Sequence, residues 1–370
     1  MNVMECKFLK FMCRHQTKVI TFGTSNGILR MKSNRWILFF AKLSLISSLL
    51  VVLAGSVVRM TGSGMGCPDW PKCFGYLIPP TDAEQVTWRP EKSFQKGQMI
   101  VHNEALWSAK ESFTTTSQYN QNNWEKYTRH DYATFNAAHT WTEYINRLVG
   151  AFTGLPVFVT FVLSLFYFKR NWLIPVLAAS VLFLLGFEAW LGKVVVDGNL
   201  VPHQITIHMF GALAIVAVLL LLIKKLNNQS FNWQLESKFR WLILGAALLT
   251  LIQFLIGTGV REQVDILSKL GVLRGDILDG LPVVYTVHKS FSLFVLTVNA
   301  LVLLKLFSNN KSWQLKLWLV VLLLEPTVGI GMAYLDFPTW MQPMHLMLAF
   351  LLFAVQFSVW LDTKRVSSSN

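Results

Sequence analysis

The sequence predicts an all-α integral membrane protein: eight transmembrane helices set out as two pseudo-symmetric four-helix bundles, with both termini cytoplasmic. Three observations predict it. Of 370 residues, 53% are hydrophobic and only 14% charged, against about a quarter charged in soluble domains. The apolar residues gather in eight runs, each close to the ~20 residues that cross a hydrocarbon core. The basic residues collect in the connectors of one side, which the positive-inside rule makes cytoplasmic. The same composition excludes a disordered chain and a disulfide-dense secreted mini-protein. The net charge of +13 does not point to nucleic acid, because the bases punctuate apolar runs instead of covering a polar surface. The expected surroundings are a lipid bilayer.

The runs are 36–58, 145–168, 173–196, 203–223, 241–260, 283–307, 317–335 and 344–361. None alternates polar with apolar as a barrel strand does. Lys32 and Arg35 precede the first run, Lys169 and Arg170 follow the second, and Lys224, Lys225, Lys238 and Arg240 lie between the fourth and fifth. Lys311, Lys316, Lys364 and Arg365 complete that side. The opposite side holds the loop 59–138. The chain thus divides into a basic tail 1–35, an N-terminal half 36–223 with its outer loop, a linker 224–240, a C-terminal half 241–361 and a tail 362–370. The basic tail reads as disordered or untranslated, with Met31 the better start for a membrane protein; a mitochondrial transit peptide is the alternative. A bacterial inner membrane is expected over a mitochondrial one.

A repeat runs through the helices. The odd runs end on the outer side around a glycine: Gly55, Gly192, Gly257 and Gly329. Glu188, Gln253 and Glu325 stand one turn before three of them. The even runs open with histidine: His208, His288 and His345, with Asn146 in that column of the second run. An ionisable residue inside a span marks a functional site by default, and three in one column outweigh the simpler role of interfacial anchor. Imidazoles from facing helices can ligate one metal, and in a slot rich in Phe, Leu and Gly the fitting metal is haem iron. Zinc fits poorly, since no Cys or Asp accompanies these histidines. His288 and His345 share a half and are expected to pair across it. His208 lies opposite Asn146, so its half is expected to hold a haem whose second axial position differs. That position is expected to be open, to hold a water bound by Asn146, or to be reached by His139, which lies seven residues before Asn146, two helical turns away and ~10 Å along the axis.

The outer loop adds Cys67 and Cys73, bracketed by Gly62, Gly64, Gly66, Pro68 and Pro71. On an oxidising side the two cysteines can form a disulfide, as a structural staple or as a redox-active pair. Glu143 shares a helix face with Asn146; it caps the helix or handles protons. Arg59, Arg147 and Arg261 are candidates to pair with haem propionates, or else reach to the membrane surface.

The segment from Gly55 through the Gly-rich cysteine motif to Cys73, then Glu143-Tyr-Ile-Asn-Arg147, then His208, His288 and His345, resembles the heme A synthase family over about residues 35–361. The resemblance implies eight helices in two four-helix halves. It implies oxidation of a haem O methyl group to a formyl group by successive hydroxylations, through a gem-diol that loses water. It implies haem b and its iron held by His288 and His345, with His208 facing the substrate haem. Glu143 would be the catalytic carboxylate and Cys67–Cys73 the loop disulfide. Asn146 stands where that family has histidine. The implied partners are haem O, the haem O synthase and an unidentified electron donor, with a homo-oligomer left open. Two rivals stand beside it: a haem b-containing quinol or electron-transfer protein, and a transporter using histidines for proton coupling.

Overall fold

The computed structural model describes residues 25–365 except 131, 199, 201, 228–232, 236, 282 and 310–311. The expectation for the basic tail therefore falls largely outside the described residues. The helices are α1 (Ser25–Met60), α2 (Ala137–Ser164), α3 (Leu173–Asp197), α4 (Pro202–Leu226), α5 (Ser237–Lys269), α6 (Val283–Asn309), α7 (Trp313–Tyr334) and α8 (Met341–Asp362). All eight are long and apolar enough to cross a membrane, as the apolar runs require, and the chain is a multi-pass integral membrane protein.

Two helices exceed their apolar runs at the end that carries the long loop. α2 begins at Ala137, where the Asn136 side chain accepts the His139 N–H at 3.2 Å. α5 continues to Lys269, with Arg261 and Asp265 paired one turn apart at 2.7 Å. Hydropathy marks only the part of a helix that lipid must accept. These polar turns are stabilised by capping, by an i,i+4 ion pair and by the loops against them.

Packing follows chain order. Within the first four helices, α1 meets α2 and α4, and α3 meets α2 and α4; within the last four, α5 meets α6 and α8, and α7 meets α6 and α8. α8 also packs on α1 and α4. Ile37, Ala41, Ile174, Ala178 and Leu222 fill the first set. Ile243, Leu303, Leu315, Trp318 and Val359 fill the second. Phe254, Phe350 and Phe353 pack with Leu213 and Val216 where the sets meet. The remaining faces leave Phe152, Leu155, Phe183, Leu301 and Leu304 exposed to the hydrocarbon. Lipid gives helices no hydrophobic reason to associate, so polar contacts add to packing. In the last four helices one residue from each joins a buried cluster. Trp318 Nε1 donates to Asn299 Oδ1 at 3.1 Å, and Gln356 Nε2 reaches both Asn299 Oδ1 at 2.6 Å and Thr250 Oγ1 at 2.9 Å.

Beside the eight helices, the outer loop is ordered into short strands. It holds a two-stranded pair, β1 (Ser93–Phe94) with β4 (Phe113–Thr114). It also holds an antiparallel sheet in the order β2 (Met99–His102), β3 (Ala105–Ala109), β5 (Trp124–Lys126). Asn103 and Glu104, both at positive φ, close the β2–β3 hairpin, a turn whose twist matches the strands. Phe94, Ile100 and Trp124 form its core. At the other end of the helices, β6 (Trp233–Leu235) and β7 (Thr363–Arg365) pair in parallel, so part of the linker and part of the tail are strand as well.

Candidate functional site

The four glycines and the four residues of the histidine column meet in pairs, each across one pair of helices consecutive in sequence. A Cβ on Gly257 would stand 3.0 Å from His288 Cε1, one on Gly329 3.2 Å from His345 Cε1, and one on Gly192 3.9 Å from His208 Cε1. On Gly55 it would stand 3.8 Å from Asn146 Oδ1. The missing side chain lets each ring lie against the neighbouring helix. The polar residue one turn before the glycine then reaches the same ring. Glu188 Oε2 lies 2.6 Å from His208 Nδ1. Gln253 Nε2 lies 3.1 Å from His288 Nδ1 and donates to the His288 carbonyl at 3.0 Å. Glu325 Oε1 lies 3.2 Å from His345 Nε2, and its backbone carbonyl 3.2 Å from Nδ1. The first helix pair departs from this: Val51 occupies the polar position, and Asn146 Oδ1 is buried without a hydrogen-bond partner among the described residues.

The His288 and His345 rings approach across α6 and α8 with centres 6.3 Å apart. Two imidazoles bound to one iron from opposite sides, each at about 2 Å, have ring centres about 6 Å apart. The separation of the pair is the one that a haem with two histidine ligands needs, while both nitrogens of the His345 ring lie against Glu325, so ligation would require that ring to turn. Among the described residues no three His, Cys, Asp or Glu side chains cluster as a metal cage.

The cysteine loop is clamped onto the start of α2. Cys67 and Cys73 are joined in a disulfide, S–S 2.04 Å, and both are fully buried. Glu143, 4% exposed, accepts the Cys67 N–H on Oε2 at 2.8 Å. Its Oε1 pairs with Arg147 at 2.5 Å. Arg147 also donates to the carbonyls of Asp69, Lys72 and Cys67 at 2.7, 2.9 and 3.1 Å. Thr140 Oγ1 donates to the Gly66 carbonyl at 2.7 Å. Tyr127 Oη donates to the Pro68 carbonyl at 2.8 Å, and His130 Nε2 lies 3.1 Å from the same oxygen. Only glycine fits at 66 and 75: a Cβ would come within 2.4 Å of the His139 carbonyl in one case and 2.1 Å of the Gly97 carbonyl in the other. Burial holds the Asp69 carboxyl above its ordinary pKa, against the pull of the Gly75 N–H and the Arg147 charge.

The structure brings together His288 with His345, Glu143 with Arg147, and Cys67 with Cys73. Glu143 lies beyond the first turn of α2 and caps nothing there; Asn136 does that. His139 sits in that first turn, its backbone against Gly66. All three candidate propionate arginines have partners within the protein. Arg147 holds the loop. Arg59 and Arg261 share Asp265, whose oxygens lie 2.6 and 2.7 Å from them. Asp265 lies beyond the apolar run and carries no sequence signal. Glu188, Gln253 and Glu325 carried one, since each stands four residues before a repeat glycine, but spacing alone did not tie them to the histidines.

The chain matches the cytochrome oxidase assembly protein model, COX15-CtaA, over residues 37–105 and 93–357. It is similar to a heme A synthase of Shewanella oneidensis, 26% identical over 187 residues, 50% of this chain and 44% of that protein. To the heme A synthase of Ehrlichia canis it is 24% identical over 341 residues, 84% of this chain and 88% of that one. A 50-residue stretch is 44% identical to the heme A synthase of Lysinibacillus sphaericus, 13% of this chain and 16% of that one. The chain thus spans less than half the length of the first and third of these and most of the second.

Proposed function

The chain belongs to the cytochrome oxidase assembly protein family, and from that premise we propose that it is a haem A synthase, oxidising a methyl group of haem O to a formyl group. The observation that carries the proposal is the difference between its halves. His288 and His345 stand as a pair 6.3 Å apart, while His208 has Asn146 for its counterpart in the repeat. The first arrangement suits a haem b with two histidine ligands. The second suits a haem O held by one histidine, leaving the other side open for chemistry. When bound, haem b supplies the one-electron chemistry that side chains lack.

The chain's own residues do the rest. His208 holds the substrate. Asn146 Oδ1 offers an acceptor to a water or hydroxyl beside it. Glu143, buried under the cysteine loop, would take up protons released as two successive two-electron oxidations, each passing its electrons to an external acceptor and adding one oxygen from water, carry the methyl group to a hydroxymethyl and then to a gem-diol, which loses water to leave the formyl. Arg59 and Arg261 stand at the loop end, where propionates of either haem would meet them. The loop end faces the outer side, and haem O, with its farnesyl tail, enters from the bilayer, delivered by the haem O synthase.

One observation favours the electron-transfer alternative. Both oxygens of Glu143 are engaged by the loop and Arg147, as a purely structural carboxylate would be. Co-expression with a haem O-producing enzyme, followed by haem extraction, separates the two. Haem A is expected from the wild-type chain, and none from His208→Ala. Unchanged haem O with a low-spin haem b spectrum would leave an electron carrier. A purified protein without haem absorbance would leave the transporter.

A further inference from the structure

Glu188 has no part in the chemistry above. It is 7% exposed within a membrane-spanning helix, where a carboxylate is costly without a partner. That partner is His208 Nδ1, 2.6 Å from Oε2. The fold makes room for the contact: a Cβ at Gly211 of α4 would stand 1.9 Å from Glu188 Oε1. Nδ1 of His288 faces the amide of Gln253, and Nδ1 of His345 faces a backbone carbonyl. Among the described histidines of the column, His208 is the one whose Nδ1 meets a carboxylate.

We propose that Glu188 is the positioning residue of His208. Nδ1 makes no aligned hydrogen bond among the described residues, but the carboxylate 2.6 Å away draws the ring proton to Nδ1, which leaves Nε2 with its lone pair for the iron of haem O. The proposal rests on the haem A synthase reading. A histidine that donates its second nitrogen to a carboxylate is a stronger metal ligand, and loss of such a partner typically costs 10–100-fold in metal affinity. The negative charge also favours ferric over ferrous iron. The neutral amide of Gln253 exerts no such pull on His288, and the Glu325 carboxylate meets His345 at Nε2 instead of Nδ1, so the repeat places its histidines alike and differs in which ring nitrogen, if any, faces a charge.

The test uses full-length purified protein loaded with haem O, in wild-type, Glu188→Gln, Gly211→Ala and His208→Ala forms. Gly211→Ala displaces the carboxylate without changing either partner, and alanine suits a helix. Three readouts apply: haem O retained, its midpoint potential, and the iron–imidazole stretch of the ferrous form. Glu188→Gln and Gly211→Ala should both lower the stretch, raise the potential and reduce retention by about tenfold or more. The His288/His345 haem spectrum should stay as in wild type. Wild-type stretch and potential in both variants would overturn the role of Glu188 while leaving the haem A synthase reading intact. Wild-type protein that takes up no haem O would overturn both.

Discussion

Glu143 and Asn146 sit three residues apart in sequence and meet opposite circumstances. Glu143 has both oxygens bound, whereas the amide oxygen of Asn146 is buried and unpartnered among the described residues. Glutamine at 143 keeps the shape but carries neither charge nor proton, and it turns an amide NH2 toward a donor. Glu143→Gln is expected to lower haem A formation by about 10²-fold or more with the His288/His345 spectrum unchanged; activity within a few-fold of wild type would reduce the residue to a loop anchor. Asn146→His supplies the ligand that the repeat lacks. It should give a tightly held low-spin haem O and lower turnover by about tenfold, a barrier about 1.4 kcal/mol higher. An unchanged haem O spectrum, together with its loss in His139→Ala, would make His139 the second ligand. The Gly–His column was legible in the sequence because a helical hairpin with a short turn fixes what lies opposite what: sixteen residues separate Gly192 from His208 and Gly329 from His345. The third pair, 257 and 288, has a longer connection and meets in the same way.

The outer loop and the last four helices are stabilised by different means. The loop depends on buried polar contacts around the disulfide. The raised pKa of Asp69 means that the folded loop holds its proton more tightly than the unfolded chain. The associated stability is fully present below the ordinary aspartate value and is lost as pH rises through the raised one. The protection factors of the 66–76 amides, corrected for the intrinsic pH dependence of exchange, should therefore fall across that window in wild type and stay level in Asp69→Asn; equal pH slopes would refute the assignment. In the last four helices, Asn299 accepts from Trp318 and Gln356. The matching positions of the first half, eleven residues after Asn146 and His208, are Val157 and Leu219. Asn299→Leu strands the Trp318 Nε1–H and leaves Gln356 with Thr250 alone in a lipid-embedded core, and should cost about 1 kcal/mol, read as a lower midpoint in detergent unfolding. The strands of the loop escaped notice because the runs are short and the β2–β3 hairpin turns on Asn-Glu instead of the glycine-bearing pair that signals such turns.

Across the whole molecule, Asp265 joins the N-terminal and C-terminal helices through Arg59 and Arg261 at the loop end, near both histidine sites. Its side chain is about a quarter exposed, between the surface and buried extremes for ion pairs. Asp265→Asn should lower the thermal midpoint by the equivalent of about 1–3 kcal/mol. It should also loosen both haems together; loss from one half alone would show that the pair serves that half only.

Composition, hydropathy and the repeat sufficed for eight spans, the membrane setting and the glycine–histidine column, because each is a local pattern repeated at helical or hairpin spacing. The loop clamp and the Asp265 bridge were not legible. Cys67 meets Glu143 across 76 residues and Arg59 meets Asp265 across 206, and no periodicity connects positions so far apart. Such contacts are chosen by how preformed helices and a folded loop come to rest against one another, where each buried charge must find a partner and only the assembled chain determines which one it finds.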